Sequence, residues 1–403
     1  MDQINQLIMT WVQNEDSICR IIDAILFLLF LTAVLYLLIF AIFSLKKRKN
    51  TYPPARKKYR FAVLFPCYME DEVILNSVNS FFDQEYPREL YDVIVISDRM
   101  TEETDRALQD LSAVVVKADS PQSTKTNALR RAIRYIEEEK RSYDIVVVLD
   151  ADNLVDTDFL DKINDAFYSG CMVVQTHRVA KNRNTSIAVL DAVSEEINNS
   201  IFRKGHTELG FSSALIGSGM AFDYQLFKEY IQTASSIGID KNLEKSLLKN
   251  YIFIEYLETV FTYDEKVKQK ADFYNQRRRW LATQFYNLFS GFGHILIAIL
   301  KGNWDYVDKL FQWMMPPRIM LFGLITLIAI GMTWINWALS VKWWGLLLLL
   351  CIAFSIAVPN YLVDNKFKKA ILSIPLLFIL MLFNHFRMKG ATKEFIHTKH
   401  SSK

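Results

Sequence analysis

The chain has 403 residues, which is enough for one large soluble domain with membrane segments or for two ordinary domains. Hydrophobic residues make up 51% of it and are concentrated towards the two ends, a distribution that indicates a membrane protein. The 47 basic and 44 acidic residues leave a net charge of only +3, so the chain has no general basic field and nucleic acid is not expected as a partner.

The first predicted element is a transmembrane helix at 21–43, preceded by a short extracytoplasmic N-terminus at 1–20. The run is almost wholly apolar and long enough to cross the roughly 30 Å hydrocarbon core of a bilayer. It is too long for a secretory signal peptide, and it lacks a basic start and a small-residue cleavage site. The basic run 46–49 follows, and the positive-inside rule places this end of the helix in the cytoplasm. We therefore expect a multi-pass protein of the cell (inner) membrane.

Residues 44–283 are predicted to form an α/β domain on the cytoplasmic side. Short β-branched apolar runs alternate there with stretches of helical spacing, which predicts a largely parallel sheet covered on both faces. The predicted strands are 61–65, 91–97, 113–116, 145–149 and 171–176, and the predicted helices are 72–82, 101–111, 124–139 and 156–167. Ligands of such a sheet bind at the C-terminal ends of its strands.

Beyond this domain the chain becomes aromatic and apolar again. The region 284–316 has short or amphipathic runs, which predict interfacial helices. The region 317–387 contains three apolar runs long enough to span a bilayer, at 319–337, 343–363 and 370–386. Three spans would place the tail 388–403 outside, whereas its basic residues favour the inside. The interpretation adopted is an inside tail, with one of the three runs interfacial or re-entrant.

Two carboxylates, Asp150 and Asp152, follow the predicted strand 145–149 and are therefore expected at the ligand-binding edge of the sheet. Carboxylate oxygens suit Mg²⁺ or Mn²⁺, and such an ion can bind a substrate diphosphate. Alone the pair is common and can equally be a loop or capping pair. The cysteines are widely separated and the histidines form no zinc motif, so a reduced domain without a histidine zinc site is expected.

The carboxylate pair belongs to a longer series of motifs. In chain order they are Phe65-Pro66-Cys67-Tyr68-Met69-Glu70, Val95-Ile96-Ser97-Asp98, Lys125, Asp150-Ala151-Asp152, Gly217-Ser218-Gly219-Met220, Asp240 and Gln276-Arg277-Arg278-Arg279-Trp280. Over about 59–280 the series resembles the inverting family 2 glycosyltransferases of the GT-A fold, in particular the membrane-integrated cellulose-synthase-like and hyaluronan-synthase-like members. The Gln-x-x-Arg-Trp element is the most specific part of the match. A looser likeness to the tails of related synthases lies at 395–400.

The resemblance implies a GT-A-type, Rossmann-like α/β domain flanked by transmembrane and interfacial helices, and a role for each matching residue. It assigns binding of the nucleotide-sugar donor to Tyr68, Glu70, Asp98, Lys125, Asp150 and Asp152, with Asp150 and Asp152 also at the metal. It assigns the acceptor site to Gln276, Arg279 and Trp280. Each of these residues also has a purely structural interpretation. The segment 66–70 can be a strand-ending turn, Asp98 a helix cap and Lys125 a solvated lysine. Arg279 and Trp280 can belong to an interfacial belt.

The resemblance makes Asp240 the general base that takes the proton of the acceptor hydroxyl. A carboxylate can act in this way if its position and pKa suit the reaction. Ile239 stands where the family carries a glutamate, so the base is present without its acidic neighbour. Asp240 also has the alternative of being an ordinary helix-start residue.

Three functional hypotheses follow. The first is an inverting, metal-dependent transferase that moves a sugar from a nucleotide-sugar, expected to be a UDP-sugar, onto a growing glycan, with elongation and export as an extension. The second is a single transfer to a polyprenyl-phosphate lipid, so the acceptor is either a glycan or lipid-linked. The third is a non-catalytic, nucleotide-binding membrane scaffold, which Ile239, Met69 and Arg130 favour because they depart from the family pattern.

Overall fold

The computed structural model describes residues 2–47, 52–268 and 270–386, with the side chains of 18–47, 52–268 and 273–383. The strands β1 to β8 are Phe61–Tyr68, Tyr91–Asp98, Val114–Lys117, Ile145–Val148, Leu154–Val155, Val173–Ala180, Met220–Asp223 and Glu255–Asp264. The helices α1 to α16 are Asp2–Ser44, Ile74–Phe81, Glu102–Asp110, Lys125–Glu138, Phe159–Tyr168, Ser186–Asn198, His206–Glu208, Tyr224–Thr233, Ile239–Lys249, Lys270–Phe292, Ile295–Leu300, Trp304–Met314, Arg318–Ile335, Trp337–Ala357, Asn365–Ile371 and Ile374–Phe386. A π-helical turn, Asn199–Gly205, joins α6 to α7, and two 3₁₀ turns lie at Arg88–Leu90 and Asn360–Leu362.

The strands form one mixed sheet in the order β3-β2-β1-β4-β7-β6-β8-β5. β1 to β4 are parallel to one another, as predicted. β7 lies antiparallel between β4 and β6, so the predicted strands 145–149 and 171–176, which follow one another along the chain, do not pair. β5, β7 and β8 were not predicted, because β5 has only two residues, β7 has no β-branched side chain and β8 mixes polar with apolar positions.

Alternating side chains of the central strands supply both cores of the domain. Phe61, Val63 and Phe65 of β1 face a core shared with α2, α3 and α5. Ala62 and Leu64 face the opposite core, which α4, α8 and α9 cover. Burial of each large apolar side chain contributes about 1.5–3 kcal/mol. A sheet covered on both faces is what the continuous apolar runs predict.

The predicted helices of the first half lie close to the observed ones. The side chains of Thr101 and Thr124 cap α3 and α4 by accepting hydrogen bonds from Thr104 N and Asn127 N. The helix predicted from 156 begins at Phe159 instead, and the side chain of Asp158 makes no capping hydrogen bond there. The residues that end up at the C-terminal edge of the sheet are thus held between rigid strands and capped helices.

Three helical segments are apolar and long enough to cross a bilayer: Ile18–Ser44, Arg318–Ile335 and Trp337–Ala357. They pack together around Trp343, whose ring meets the edges of Phe27 and Phe30 at 5.4 and 5.9 Å between centroids. The indole nitrogen of Trp343 donates to Asp23 Oδ1 at 2.8 Å. The first helix begins at Asp2, well before the predicted start at 21, and the two C-terminal segments begin and end earlier than predicted.

The third predicted C-terminal run, 370–386, is divided between two helices. α15 ends at Ile371, and α16 has 13 described residues. A helix of this length is about 20 Å long, short of the roughly 30 Å that a bilayer core requires. In the described part of the chain, two of the three predicted C-terminal runs are therefore long enough to span. The tail 388–403 and the end of the basic run, Arg48 and Lys49, lie outside the described residues.

The region 284–316, which was predicted to form interfacial helices, begins within a longer helix. α10 continues through the predicted boundary at 284 as one helix to Phe292. α11 follows and leaves Leu296 and Leu300 73% and 86% exposed. α12 packs with α9 and α10, and its Leu310 and Trp313 are buried in the core of the domain.

Candidate active site

Six of the predicted site residues lie at one edge of the sheet, and we call them the strand-end cluster. They are Tyr68, Glu70, Asp98, Lys125, Asp150 and Asp152. Tyr68 and Asp98 end the parallel strands β1 and β2, and the two other aspartates follow β4. Because these strands are parallel, their C-terminal ends meet at the same edge.

The turns after β1 and β2 hold this edge in an uncommon backbone conformation. Met69 and Arg99 both have φ of 55°, in the left-handed region that costs a non-glycine residue roughly 1 kcal/mol or more. Met69 N donates to Asp98 O at 3.1 Å, which ties the two turns together. Arg99 Nη1 donates to the Tyr68 hydroxyl at 3.2 Å. Tyr68 is thus held in place by its neighbour.

The structure excludes two of the purely structural interpretations, those of Asp98 and Lys125. The capping residue of α3 is Thr101, so Asp98 is not a helix cap. Lys125 begins α4 and is not a solvated lysine, since its ammonium contacts the carboxylate of Asp150 and donates to Gly217 O at 2.6 Å. The first turn of α4 and this ammonium together present positive potential beside the carboxylates.

Asp152 is 5% exposed and is fixed from both sides. Its Oδ2 accepts from Glu265 N at 2.7 Å, and its Oδ1 accepts from Asn153 Nδ2 at 3.1 Å. Lys181 Nζ donates to the main-chain oxygen of Asp152 at 2.6 Å. A buried carboxylate held in this way keeps its position when a cation or phosphate approaches.

The strand-end cluster carries more negative than positive charge. Burial raises the pKa of Glu70 to about 8, and the carboxylates of Asp152 and Asp150 add to the rise. A divalent cation would relieve this repulsion, and oxygen ligands are those that Mg²⁺ and Mn²⁺ prefer. No three His, Cys, Asp or Glu side chains converge on one point in the described part of the chain. The donor set therefore fits an ion whose coordination is shared with substrate phosphates rather than an all-protein cage.

The other predicted residues lie on α9 and α10, and we call Asp240, Gln276, Arg279 and Trp280 the helix cluster. Asp240 is in the first turn of α9, after Gly238 with φ of 62°, so the helix-start interpretation is correct for its backbone. Burial lowers the pKa of Arg279, while the carboxylates of Asp240 and Asp150 act in the opposite direction. The guanidinium group of Arg279 is therefore within the electrostatic reach of a carboxylate from each cluster.

Two further features of the helix cluster concern ligand contact. The side-chain oxygen of Gln276 is buried and accepts no hydrogen bond from the described residues. A buried acceptor of this kind is costly unless a ligand or water donates to it. The guanidinium of Arg277 lies 4.5 Å from the Trp280 ring centroid and is itself paired with Asp191. One face of Trp280 is thus covered by a cation.

Ile239 points into the core, where it is 7% exposed beside Leu243. A glutamate at this position would be buried among apolar side chains. α9 does carry a second acid, Glu244, but the ammonium of Lys309 neutralises it at 2.8 Å. Asp240, in contrast to Glu244, makes no ion pair with the described residues.

All of the predicted site residues line one cavity of about 1330 Å³. Pockets for a single small ligand usually measure about 300–1,000 Å³, so this one has room for two substrates. Gly217 connects the clusters: a Cβ there would lie 3.9 Å from that of Asp240, and its carbonyl oxygen binds Lys125. The bend at Gly217 therefore brings the strand-end cluster to the base predicted on α9.

The far end of the cavity is apolar. It is lined by Leu37 of α1, Phe322 of α13, Phe354 of α14, and Leu377 and Met381 of α16. Two of these helices and the second half of α1 are among the segments long enough to cross a bilayer. One cavity thus extends from the charged sheet edge to the apolar helices.

Sequence reasoning missed several residues of the site. Glu265 and Lys181 follow β8 and β6, the former strand unpredicted and the latter predicted to end too early. Ser218, whose hydroxyl accepts from Asp150 N at 3.1 Å, lies in the motif 217–220 but was given no role of its own. Arg318 lines the cavity from the start of α13, where its position resembles that of an interfacial anchor. The sequence signal that could have revealed Glu265 is the strand pattern of mixed polar and apolar residues that ends at Asp264-Glu265.

Arg130, which departs from the family pattern, has a structural explanation. Its guanidinium donates to the main-chain oxygens of Ile231, Gln232 and Ala234 at 2.6–2.9 Å. These carbonyl groups lie at the C-terminal end of α8, where a cation is favourable. Arg130 therefore fixes the end of α8 and gives no support to a non-catalytic role.

Gly219→Ala is expected to destabilise the fold by about 2–4 kcal/mol, as overpacking and backbone strain combine. A Cβ there would lie 2.3 Å from Thr176 Oγ1 and 2.6 Å from Thr262 Oγ1, at φ of +61°. Gly210→Ala is the matched control, since Gly210 also has positive φ but has open space around its Cβ position. Thermal unfolding of both variants measures the difference; equal midpoints would contradict the crowding described.

Residues 58–283 match the model of a family described as glycosyltransferase like family 2. No curated protein matches the chain. Among solved structures, the chain is similar to a mannosyltransferase from Pyrobaculum calidifontis in complex with GDP-Man and Mn²⁺, with 17% identity and a TM-score of 0.53 over 83% of this chain and 97% of that one. Another similar structure is glucosyl-3-phosphoglycerate synthase from Mycobacterium tuberculosis, with 16% identity and a TM-score of 0.40 over 57% and 80% of the two chains. The sheet with its flanking helices is thus a GT-A-type fold.

Proposed function

The chain belongs to the glycosyltransferase like family 2, and from this premise we propose that it is an inverting, metal-dependent transferase that acts at a membrane surface. The donor in this proposal is a nucleotide-sugar, with a UDP-sugar as the first to be tested. The acceptor is the hydroxyl group of a growing glycan or of a lipid-linked sugar. The observation that carries the proposal is the single cavity that joins the strand-end cluster, Asp240 and the apolar helices.

The strand-end cluster is the proposed donor site. Tyr68 and Asp98 flank the base and ribose, and the ammonium of Lys125 meets the diphosphate as a point charge. Asp150 and Asp152 would hold Mg²⁺ or Mn²⁺, which supplies charge neutralisation for the departing nucleoside diphosphate. The GDP-Man and Mn²⁺ in the similar mannosyltransferase support this assignment. Such an ion would also favour the charged form of Glu70, whose pKa is raised to about 8 by burial and by the two aspartates.

Asp240 is the proposed general base. It accepts the proton of the acceptor hydroxyl as the acceptor oxygen bonds to the anomeric carbon and the bond from that carbon to the diphosphate breaks. The absence of an ion pair to Asp240 in the described residues leaves its carboxylate ready for this role, in contrast to Glu244. One displacement by one base inverts the anomeric centre, and the gain from such proton transfer is typically about 10²–10⁴ in rate.

The helix cluster is the proposed acceptor site. The buried side-chain oxygen of Gln276 would accept a hydrogen bond from an acceptor hydroxyl group. Trp280 offers the ring face opposite Arg277 for stacking on a sugar. Purified protein incubated with UDP-sugars, Mg²⁺ or Mn²⁺ and acceptor tests the whole proposal by release of nucleoside diphosphate. Product sizing then separates elongation, which gives a ladder, from a single transfer.

The proposed location is the cell membrane, with the catalytic domain in the cytoplasm and the link between α13 and α14 outside. That link is flanked by Trp334 and Trp337, which are 87% and 73% exposed, as expected of an aromatic belt at a membrane interface. Two spans after the domain also return the chain to the cytoplasm, in agreement with an inside tail.

Cysteine labelling in intact cells checks this topology. In a background without native cysteines, Ile335→Cys is expected to react with a membrane-impermeant maleimide, because this last residue of α13 is 80% exposed next to the link. Glu102→Cys, on the exposed start of α3, should react only after the cells are permeabilised. Equal protection of both positions, or the reverse pattern, would contradict the topology.

A further inference from the structure

Arg318, the first residue of α13, lines the cavity together with charged and apolar side chains. Arg318 Nη2 donates to the main-chain oxygen and to Oγ of Ser194, both at 3.0 Å. Its guanidinium also lies 5.7 Å from the centroid of the Phe202 ring. Both Arg318 and Ser194 line the cavity, together with Phe322 one turn further along α13.

Arg318 has no acidic partner among the described residues, in contrast to two other cations that line this cavity. Arg203 pairs with Glu195 at 2.9 Å, and Lys309 pairs with Glu244 at 2.8 Å. Within the described residues Arg318 makes no ion pair, and its Nη1 is buried without a hydrogen-bond partner. A buried charged donor without a partner is costly.

The position of Arg318 at the start of α13 makes its positive charge still less favourable. The N-terminus of a helix carries a partial positive charge, so a cation there is at the unfavourable end. The guanidinium groups of Arg277 and Arg279 also line the cavity, and Arg277 is paired with Asp191. The unpaired Nη1 of Arg318 is therefore the group to which an anion would bring a charge-assisted hydrogen bond.

We propose that Arg318, with Ser194, binds the phosphate or diphosphate of a lipid-linked acceptor. The apolar chain of this lipid lies along Leu37, Phe322, Phe354 and Leu377, and its sugar head extends towards Asp240. This inference rests on the proposed function and adds the chemical class of the acceptor. It follows from three kinds of side chain that line one cavity: the carboxylate of Asp240, the unpaired guanidinium group of Arg318 and the apolar side chains of α1, α13, α14 and α16.

Direct binding of a polyprenyl monophosphate to the detergent-purified full chain, without any nucleotide-sugar, tests the proposal. The phosphate lipid should bind the wild type roughly 10- to 100-fold more tightly than the polyprenol of the same length, as charge-assisted hydrogen bonds do. Arg318→Gln should remove this preference. Arg318→Lys should retain part of it, because lysine keeps the positive charge but lacks the paired N–H donors of the guanidinium group. Arg134→Gln is the matched control, since it removes an arginine that pairs with Asp119 far from this cavity.

Three results would overturn the proposal: equal binding of the phosphate lipid and the alcohol by the wild type, an unchanged preference in Arg318→Gln, or competition by inorganic phosphate as strong as that by the lipid. The last would indicate a site for free phosphate. If Arg318→Gln fails to fold, as its thermal midpoint would reveal, the wild-type comparison and Arg318→Lys decide. The assay contains no donor, so binding that depends on Arg318 stands even if sugar transfer fails, and transfer without phosphate-lipid binding refutes only this inference.

Discussion

Asp240→Asn is expected to reduce sugar transfer about a thousandfold, while the protein still folds and binds its donor. The change keeps the size of the side chain and removes its ability to accept a proton at the acceptor hydroxyl. Because Asp240 lies on α9 and not at the sheet edge, the affinity for the nucleotide should remain within a few-fold of the wild type. Turnover is measured as product formed from a labelled nucleotide-sugar, and nucleotide affinity by calorimetry.

The matched control is Asp110→Asn, which makes the same chemical change on an exposed position at the end of α3. It should leave both turnover and nucleotide affinity unchanged. If Asp240→Asn retained wild-type transfer, the assignment of the base would be wrong. A chain whose cellular role persisted in Asp240→Asn without any transfer would instead be a nucleotide-binding scaffold.

Asp152→Asn is expected to reduce transfer by roughly two to three orders of magnitude, since a metal ion contributes several kcal/mol to the stabilisation of the leaving diphosphate. The variant should also need a much higher Mn²⁺ concentration for half-maximal turnover. Asp152 is buried and its two oxygens accept hydrogen bonds from Glu265 N and Asn153 Nδ2, of which the amide can keep only one, so thermal unfolding of the variant is measured beside its turnover. Electron paramagnetic resonance of free Mn²⁺ measures the loss of ion binding independently of turnover.

Asp161→Asn serves as the control for this variant. Asp161 lies on α5 and pairs with Lys58, and both side chains are more than a third exposed. Its loss should alter neither Mn²⁺ binding nor transfer. Chelation by EDTA should stop the wild-type reaction, and readdition of Mn²⁺ or Mg²⁺ should restore it. Activity of Asp152→Asn equal to that of the wild type across the Mn²⁺ titration would remove Asp152 from the metal site.

The sequence predicts the strand-end cluster well because local rules determine it. β1, β2 and β4 are continuous β-branched runs, and a polar residue directly after each must lie at one edge of a parallel sheet. β7 escaped detection because its four residues include no β-branched side chain, and its antiparallel insertion is set by contacts between distant segments. Local pattern therefore located Asp150 and Asp152 but not the carboxylate of Glu265 beside them.

The helix cluster depended on motif order rather than on local rules. Nothing near Asp240 in the sequence indicates that Gly217 approaches it from across the domain. The position of Ile239 in the core likewise appears only once α9 is packed against the sheet. Arg318 is the clearest case, since a basic residue before an apolar run usually predicts a membrane interface. Its lack of an acidic partner is a property of the assembled cavity.

The apolar end of the cavity determines which concentration of acceptor governs the rate. A substrate whose chain stays among Phe322, Phe354 and Leu377 enters by lateral diffusion within the lipid layer. Turnover should then saturate with the mole fraction of acceptor in the surface and remain constant when the bulk volume changes at fixed composition. The proposed nucleotide-sugar donor, which would enter from the aqueous side at Asp98 and Lys125, should instead follow its bulk concentration. On this proposal the enzyme meets one substrate in two dimensions and the other in three.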